Sequence, residues 1–395
     1  MVVNSVSNSQ SSVEARRRLA YFNERRDEMV ATIRELVEIE SPSDNKAAVD
    51  RVAEAVARKF SQLGGKVEVR VHPSKDFGNH LQVDFPGKSA MKPVLLLGHY
   101  DTVYPLGTLT TMPCRVVDNM LTGPGVLDMK SGIALMLHAL AALQDWHKER
   151  LPRPVTVLLV SDEEVGSDSS LAITGSLAKK AAAVLVLEPS YGLQGAVKTA
   201  RKGVGEYLVK VTGKASHAGL DFQKGVNAIL ELAHQIEKVS SFTDLKKGLT
   251  INVGVVRGGS RTNIVPAEAA AQVDVRIARL KDGAGIDKKM RSLRPYNRKC
   301  KIEVTGGISR PPMERTAGVA ALYTQAAAIA RELGWKLREA AVGGGSDGNF
   351  TASLGIPTLD GLGGVGDGAH APHEHILISE LPRRAALLAG LIEAV

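Results

Sequence analysis

The feature that most constrains this chain is a near-continuous apolar run, Val155–Val160, that ends after Ser161 in three successive carboxylates, Asp162, Glu163 and Glu164. A valine-rich run of this length, closed by a glycine turn at Gly166, reads as a parallel strand buried on both faces. Two further runs behave alike. Val94–Leu97 releases Gly98-His99-Tyr100-Asp101, and Val184–Leu187 releases Glu188-Pro189. Adjacent carboxylates at the mouth of a buried strand repel one another and lose hydration, so they persist there only with positive charge between them. Taken alone, an acidic triplet reads as a solvated surface loop. The two companion strands argue against that reading.

The chain has 395 residues, enough for two or three domains. It is 44% hydrophobic and 23% charged, the balance of a globular protein with ample core. No apolar run approaches the roughly 18 residues of a membrane helix, so no membrane partner is expected. The start, MVVNSVSNSQSSVEARRR, is polar and lacks the apolar segment of a secretory signal, which makes a cytoplasmic location the expectation. Cys114 and Cys300 are far apart, form no metal-spaced pair, and read as free thiols. The net charge of +8 is spread over the chain, with modest clusters at Arg16–Arg18 and from Arg291 to Lys301. With only 4% aromatic residues and no recognisable module, nucleic acid is not an expected partner. A mild positive field suits small anionic substrates.

Residues 1–12 are expected to be disordered. Helical spacing then runs from Val13 to about Glu40 and from Lys46 to Leu63. Strands follow at Lys66–His72, His80–Phe85 and Val94–Leu97. A Pro/Gly-rich loop leads to Leu127-Asp128-Met129-Lys130, and helices are predicted over Ser131–His147 and Ser169–Lys180. After about Lys198 the texture changes to alternating, half-exposed strands at Glu206–Val211, Thr250–Arg257, Ala269–Ile277 and Lys301–Val304. Helices at Gly225–Ser240 and Gly285–Leu293 are interleaved with them. This β-α-β-β-α-β order predicts a small α+β sandwich, ferredoxin-like, inserted into an α/β domain. Helix–strand alternation resumes with a helix at Thr316–Leu333, strands at Lys336–Ala340 and Ile356–Leu359, and a final helix at Ser379–Glu393. The expected divisions are 13–198 and 309–395 for the α/β domain and 199–308 for the insertion.

In open α/β sheets, sites lie beyond the carboxyl ends of the strands. His99, Asp101, Glu163, Glu164 and Glu188 therefore converge, and Asp128 and His370 sit in Gly-rich loops of the kind that cross such a mouth. Imidazoles and carboxylates without a thiol suit zinc or another borderline divalent ion. Asp101, two residues beyond His99, is placed to take its other N–H and fix the tautomer. Three carboxylate ligands and a hydroxide match the charge of two divalent cations, and a pair of ions can acidify a shared water.

Eight segments then occur in order: HYDTV (99–103), GPGVLDMK (123–130), SDEEVGS (161–167), LEPS (187–190), GKASHAG (213–219), TNIVP (262–266), GGGSDG (343–348) and GAHAPHE (368–374). They resemble the dinuclear zinc hydrolases that include glutamate carboxypeptidase, aminoacylase and succinyl-diaminopimelate desuccinylase. The likeness is strongest to the folate-cleaving glutamate carboxypeptidases of bacteria. It covers most of the chain from about residue 30. It implies a zinc-peptidase-like catalytic domain with a mixed central sheet and an inserted dimerisation domain. It also implies two zinc ions per subunit, with cobalt or manganese as substitutes. His99, Asp128 and Glu188 would hold one ion. Asp128 would bridge to the other, completed by Glu164 and His370. Glu163 would be the general base, and His217 would reach the site of a second subunit, so a homodimer is implied. Asn263, Arg276 and Gly345 match positions near the substrate. The implied reaction is hydrolysis of an amide beside a C-terminal amino acid, glutamate foremost, in a small amide or short peptide. N-acyl-amino-acid hydrolysis or dipeptide hydrolysis on the same site is the alternative.

Some features depart from that pattern. Met129 follows Asp128 where relatives often carry a second acid, and Arg276 could equally brace a strand. His373 and His375 crowd His370, which is preferred for its spacing to Glu374. His373-Glu374 lacks the later histidine of a helical zinc motif. The glycine-rich 343–348 segment fits a dinucleotide-binding pattern, but the helix after it is too short for that fold. A non-catalytic binding protein on the same scaffold would have lost ligands, and none is missing.

Overall fold

A computed structural model describes residues 3–395 except 65, 89 and 149. The chain divides into two compact units. The first comprises residues 1–199, 315–341 and 346–395; the second comprises 200–314 and 342–345.

The first unit is built on six strands: β1 (Glu68–His72), β2 (His80–Phe85), β3 (Val94–His99), β4 (Val155–Val160), β5 (Ala183–Val186) and β6 (Thr358–Leu359). Their order across the sheet is β1-β2-β4-β3-β5-β6. β3 runs parallel to both β4 and β5, and β6 runs parallel to β5, whereas β1 and β2 join antiparallel at the other edge. The sheet is therefore mixed, and its parallel half explains the unbroken apolar runs. Leu96, Val157 and Leu185 point into a core shared with the helices Arg26–Val37, Ser131–His147 and Leu381–Ala394. Leu95, Leu97, Leu158, Val160, Val184 and Val186 point into a second core on the opposite face. Each such side chain contributes roughly 1.5–3 kcal/mol on full burial, so this strand bundle anchors whatever its ends carry. Among the described residues, the one helical stretch long and apolar enough to cross a membrane is Val126–His147. It is mostly buried as a core helix.

Several expectations are adjusted by the structure. The helix predicted over 13–40 is two helices, Val3–Glu24 and Arg26–Val37, parted at Arg25. Residues 3–12, expected to be disordered, form the first turns of the former; residues 1–2 lie outside the described residues. The strand expected at 336–340 lies at Glu339–Val342. The Pro/Gly-rich loop before Leu127 and the Gly-rich segment around His370 also contain structure that their composition hides. Arg115–Val117, Met120–Thr122, Gly366–Asp367 and His375–Leu377 form a small antiparallel sheet. Its hairpin over 366–377 carries His370.

The second unit is a four-stranded antiparallel sheet of Gly203–Thr212, Thr250–Gly258, Glu268–Ile277 and Lys301–Arg310, with helices Ala228–Ser240 and Leu280–Arg291. The strands lie in the order second-third-first-fourth, the arrangement of a ferredoxin-like sandwich. Its own core contains Tyr207, Val209, Val211, Leu232, Val273 and Val275.

Candidate metal centre and active site

The register of the parallel strands assembles the site. His99 is the last residue of β3 and pairs with Val160, the last of β4. The acids that follow Val160 and the imidazole that ends β3 therefore leave the sheet side by side. The Leu187 N–H bonds to the Leu97 carbonyl at 2.9 Å, which brings Glu188 to the same rim.

His99 Nε2 lies 3.2 Å from Asp128 Oδ1 and 3.3 Å from Glu188 Oε1. His370 Nε2 lies 3.1 Å from Glu164 Oε1 and 3.5 Å from Asp128 Oδ2. The two oxygens of Asp128 thus face two separate imidazole–carboxylate pairs. Glu163 joins the first group: its carboxylate, that of Glu188 and the His99 ring each place an atom within 4.8 Å of one another.

The electrostatics fit a cation. Burial pushes the His99 pKa down, but hydrogen bonds with Asp101, Asp128 and Glu188 outweigh burial and raise it well above normal. Hydrogen bonds to Asp128 and Glu164 raise His370 to about 10. Burial acts to raise Asp128, yet the His370 and His99 rings overcome it and hold that carboxyl far below its usual range. Burial raises Glu164. Without a cation, the surrounding carboxylates favour protons on both imidazoles. Two imidazoles and three carboxylates, with no thiol, are a donor set suited to zinc-like divalent ions, and ions in place would displace those protons.

The neighbouring residues hold these groups in place. Asp101 is fully buried. It faces His99 Nδ1 through its carbonyl at 3.0 Å and its carboxylate at 3.3 Å. The same carboxylate accepts the N–H groups of Glu163 and Glu164 and the Ser43 hydroxyl, so one acid orients the histidine and the acidic turn together. Asp162, the first acid of the triplet, faces away and accepts hydrogen bonds from Ser169 and Ser170. Met129 is buried beneath the site, where its sulfur accepts the His99 N–H at 3.2 Å. That contact gives the departure at 129 a packing role. His370 has φ 63°, a left-handed conformation uncommon for a residue with a side chain and typical of functional loops. His375 Nδ1 is engaged by the His373 carbonyl within the same hairpin.

Glu374, noted in sequence only for its spacing, proves central. Its Oε1 accepts the N–H groups of Leu127 and Asp128 at 2.7 and 2.9 Å. Its Oε2 accepts the Gly125 N–H at 3.1 Å and the Tyr104 hydroxyl at 2.6 Å. Backbone donors leave no residue-type signal, so only the HxxxE spacing could have pointed to it.

The other expected residues lie in the second unit. His217 lies on a two-stranded ribbon, where Ser216 pairs with Val265 and His217 with Ile264; Asn263 precedes that ribbon's second strand, its carbonyl accepting the Ala218 N–H at 2.9 Å. His217 is exposed, and its Nδ1 accepts the N–H groups of Gly219 and Leu220, both at 3.1 Å. Its neutral ring therefore carries the proton on Nε2. Arg276 is bound to Asp274 through both guanidinium and carboxylate forks. Gly345 packs against Arg310: a Cβ there would lie 2.7 Å from Arg310 Cδ, so the arginine side chain would have to shift.

A mixed α/β sheet whose strand ends gather this donor set defines a hydrolase that works through metal ions. Residues 95–394 match peptidase family M20/M25/M40, and the chain belongs to that family; it is a metallopeptidase. It is 33% identical over 373 residues to carboxypeptidase G2 of Pseudomonas sp. (strain RS-16), covering 92% of this chain and 88% of that protein. It is 27% identical to the Bacillus subtilis protein YqjE, covering 91% and 96%. Among solved structures, aminopeptidase PepT from Bacillus cereus superposes with a TM-score of 0.77 at 23% identity, covering 93% of this chain and 98% of that one. The Bacillus subtilis YXEP protein, described as a dinuclear metal-binding peptidase of the M20 family, superposes at 0.71 and 14% identity, covering 94% and 98%. These two likenesses support the fold.

Proposed function

We propose that the protein is a dinuclear zinc carboxypeptidase that releases a C-terminal amino acid, glutamate by preference, from a small amide or short peptide. The observation that carries this reading is Asp128, whose two oxygens face different imidazole–carboxylate pairs. His99, Glu188 and one Asp128 oxygen would hold one ion; the other oxygen, Glu164 and His370 would hold the second. Bound there, the ions supply Lewis acidity that acidifies water and polarises a carbonyl.

The chain's own groups do the rest. Glu163 takes the proton of the attacking water and delivers it to the departing nitrogen. Asp101 keeps the His99 ring and the backbone of Glu163 and Glu164 in place. His217, with its proton on Nε2, is the donor to the developing oxyanion in a second copy of the chain, so the working form is a homodimer. Asn263 and Gly345 contact the substrate in this reading. For Arg276 to do so, it would have to leave Asp274.

The test has three parts. Metal analysis should find two ions per chain, zinc foremost. Glu163→Gln should keep both ions and lose about 100- to 10,000-fold in kcat, the usual worth of a general base; undiminished turnover sinks the assignment. An aroyl-glutamate should be cleaved faster than an acetyl-amino acid or a dipeptide, and the reverse order would favour the alternative substrates.

A further inference from the structure

The first-unit donors are held in two different ways. His99 ends β3 and Glu188 follows β5, so the sheet ladder fixes both. Asp128 and His370 have no such support. Asp128 lies in a non-helical kink (φ −114°, ψ 93°) before the Ser131–His147 helix, and His370 sits at φ 63° in a hairpin loop. One buried carboxylate ties these two segments together. Glu374, four residues after His370, gathers three N–H groups from 125–128, including that of Asp128 itself. Tyr104 completes the link, its hydroxyl reaching both Glu374 Oε2 and the Ala371 carbonyl next to His370. Gly368 leaves room for this closure, since a Cβ there would stand 2.9 Å from the Glu374 nitrogen.

We infer that Glu374, latched by Tyr104, is a positioning residue for the half of the centre formed by Asp128, Glu164 and His370. Occupancy of that half by a divalent cation depends on it more than occupancy of the half formed by His99 and Glu188. The inference rests on the two-cation reading above. Partners behind the ligands of a metal commonly govern affinity by about 10- to 100-fold.

The experiment is a calorimetric titration of metal-free full-length protein with zinc, repeated with cobalt followed by absorbance. Wild type should take two ions. Glu374→Gln should bind the first as wild type does and the second about 10- to 100-fold more weakly. Tyr104→Phe, which leaves the backbone bonds of Glu374 intact, should weaken the second ion several-fold. It decides the question if Glu374→Gln does not fold. Equal weakening of both ions, or of neither, overturns the inference. A wild-type chain that fails to take two ions overturns the two-cation reading instead.

Discussion

His370 is the residue whose ionisation is most informative. In the metal-free protein its pKa, raised from 6.5 to about 10 by Asp128 and Glu164, keeps it protonated at neutral pH. A cation must expel that proton, so loading should weaken on acidification and should release protons at pH 7.5. Calorimetry in buffers of different ionisation enthalpy should count them, with fewer released by His370→Ala. The same raised pKa stabilises the metal-free fold fully below pH 6.5, and that contribution is lost as pH rises towards 10. The stability gap between metal-free wild type and metal-free His370→Ala should therefore shrink across that window. A gap that widens would contradict the pairing. Residue identity announced His99, Asp101, Asp128, Glu163, Glu164 and Glu188 because each follows an apolar run or a glycine turn. It could not announce that Asp162 turns away, since one acid in three looks like the others. Nor could it show that Arg276 is taken up by Asp274 two residues before it.

At the level of elements, the strands that carry the site were legible because a buried parallel strand must be apolar on both faces. The small sheet of 115–122 and 366–377 was not. Its strands are two or three residues long, with exposed residues such as Val116, and so carry no period. The start of the Ser131–His147 helix lies hard against β5. A Cβ on Gly132 would fall 2.2 Å from the Leu187 carbonyl oxygen, a backbone atom beside Glu188. Gly132→Ala should cost about 1–3 kcal/mol by overpacking and weaken metal retention through Glu188. Denaturant unfolding with metal analysis checks both, and a variant as stable and as fully loaded as wild type would show that the helix can retreat.

Among the described residues the first unit holds two cores, one on each face of its sheet, and the second unit has its own. Every donor proposed for the metals belongs to the first unit, whereas His217 belongs to the second. If sites are completed between copies, mixing the inactive variants Glu163→Gln and His217→Ala should restore activity. Random exchange in a two-fold dimer gives half the molecules one intact site, hence about one quarter of wild-type activity. No recovery after verified exchange would place His217 in its own chain's site or outside catalysis. Scanning calorimetry should also show added metal raising the transition that unfolds the first unit; a 100-fold excess over Kd corresponds to about 2.7 kcal/mol.

The first unit is stitched from stretches on either side of the second, and this bears on biosynthesis. A nascent chain emerging from the ribosome presents its acidic strand ends long before His370 and Glu374 have been joined to it. Ions captured early would meet an unfinished cage, so durable loading has to wait until translation has passed residue 374, after the second unit has already been made.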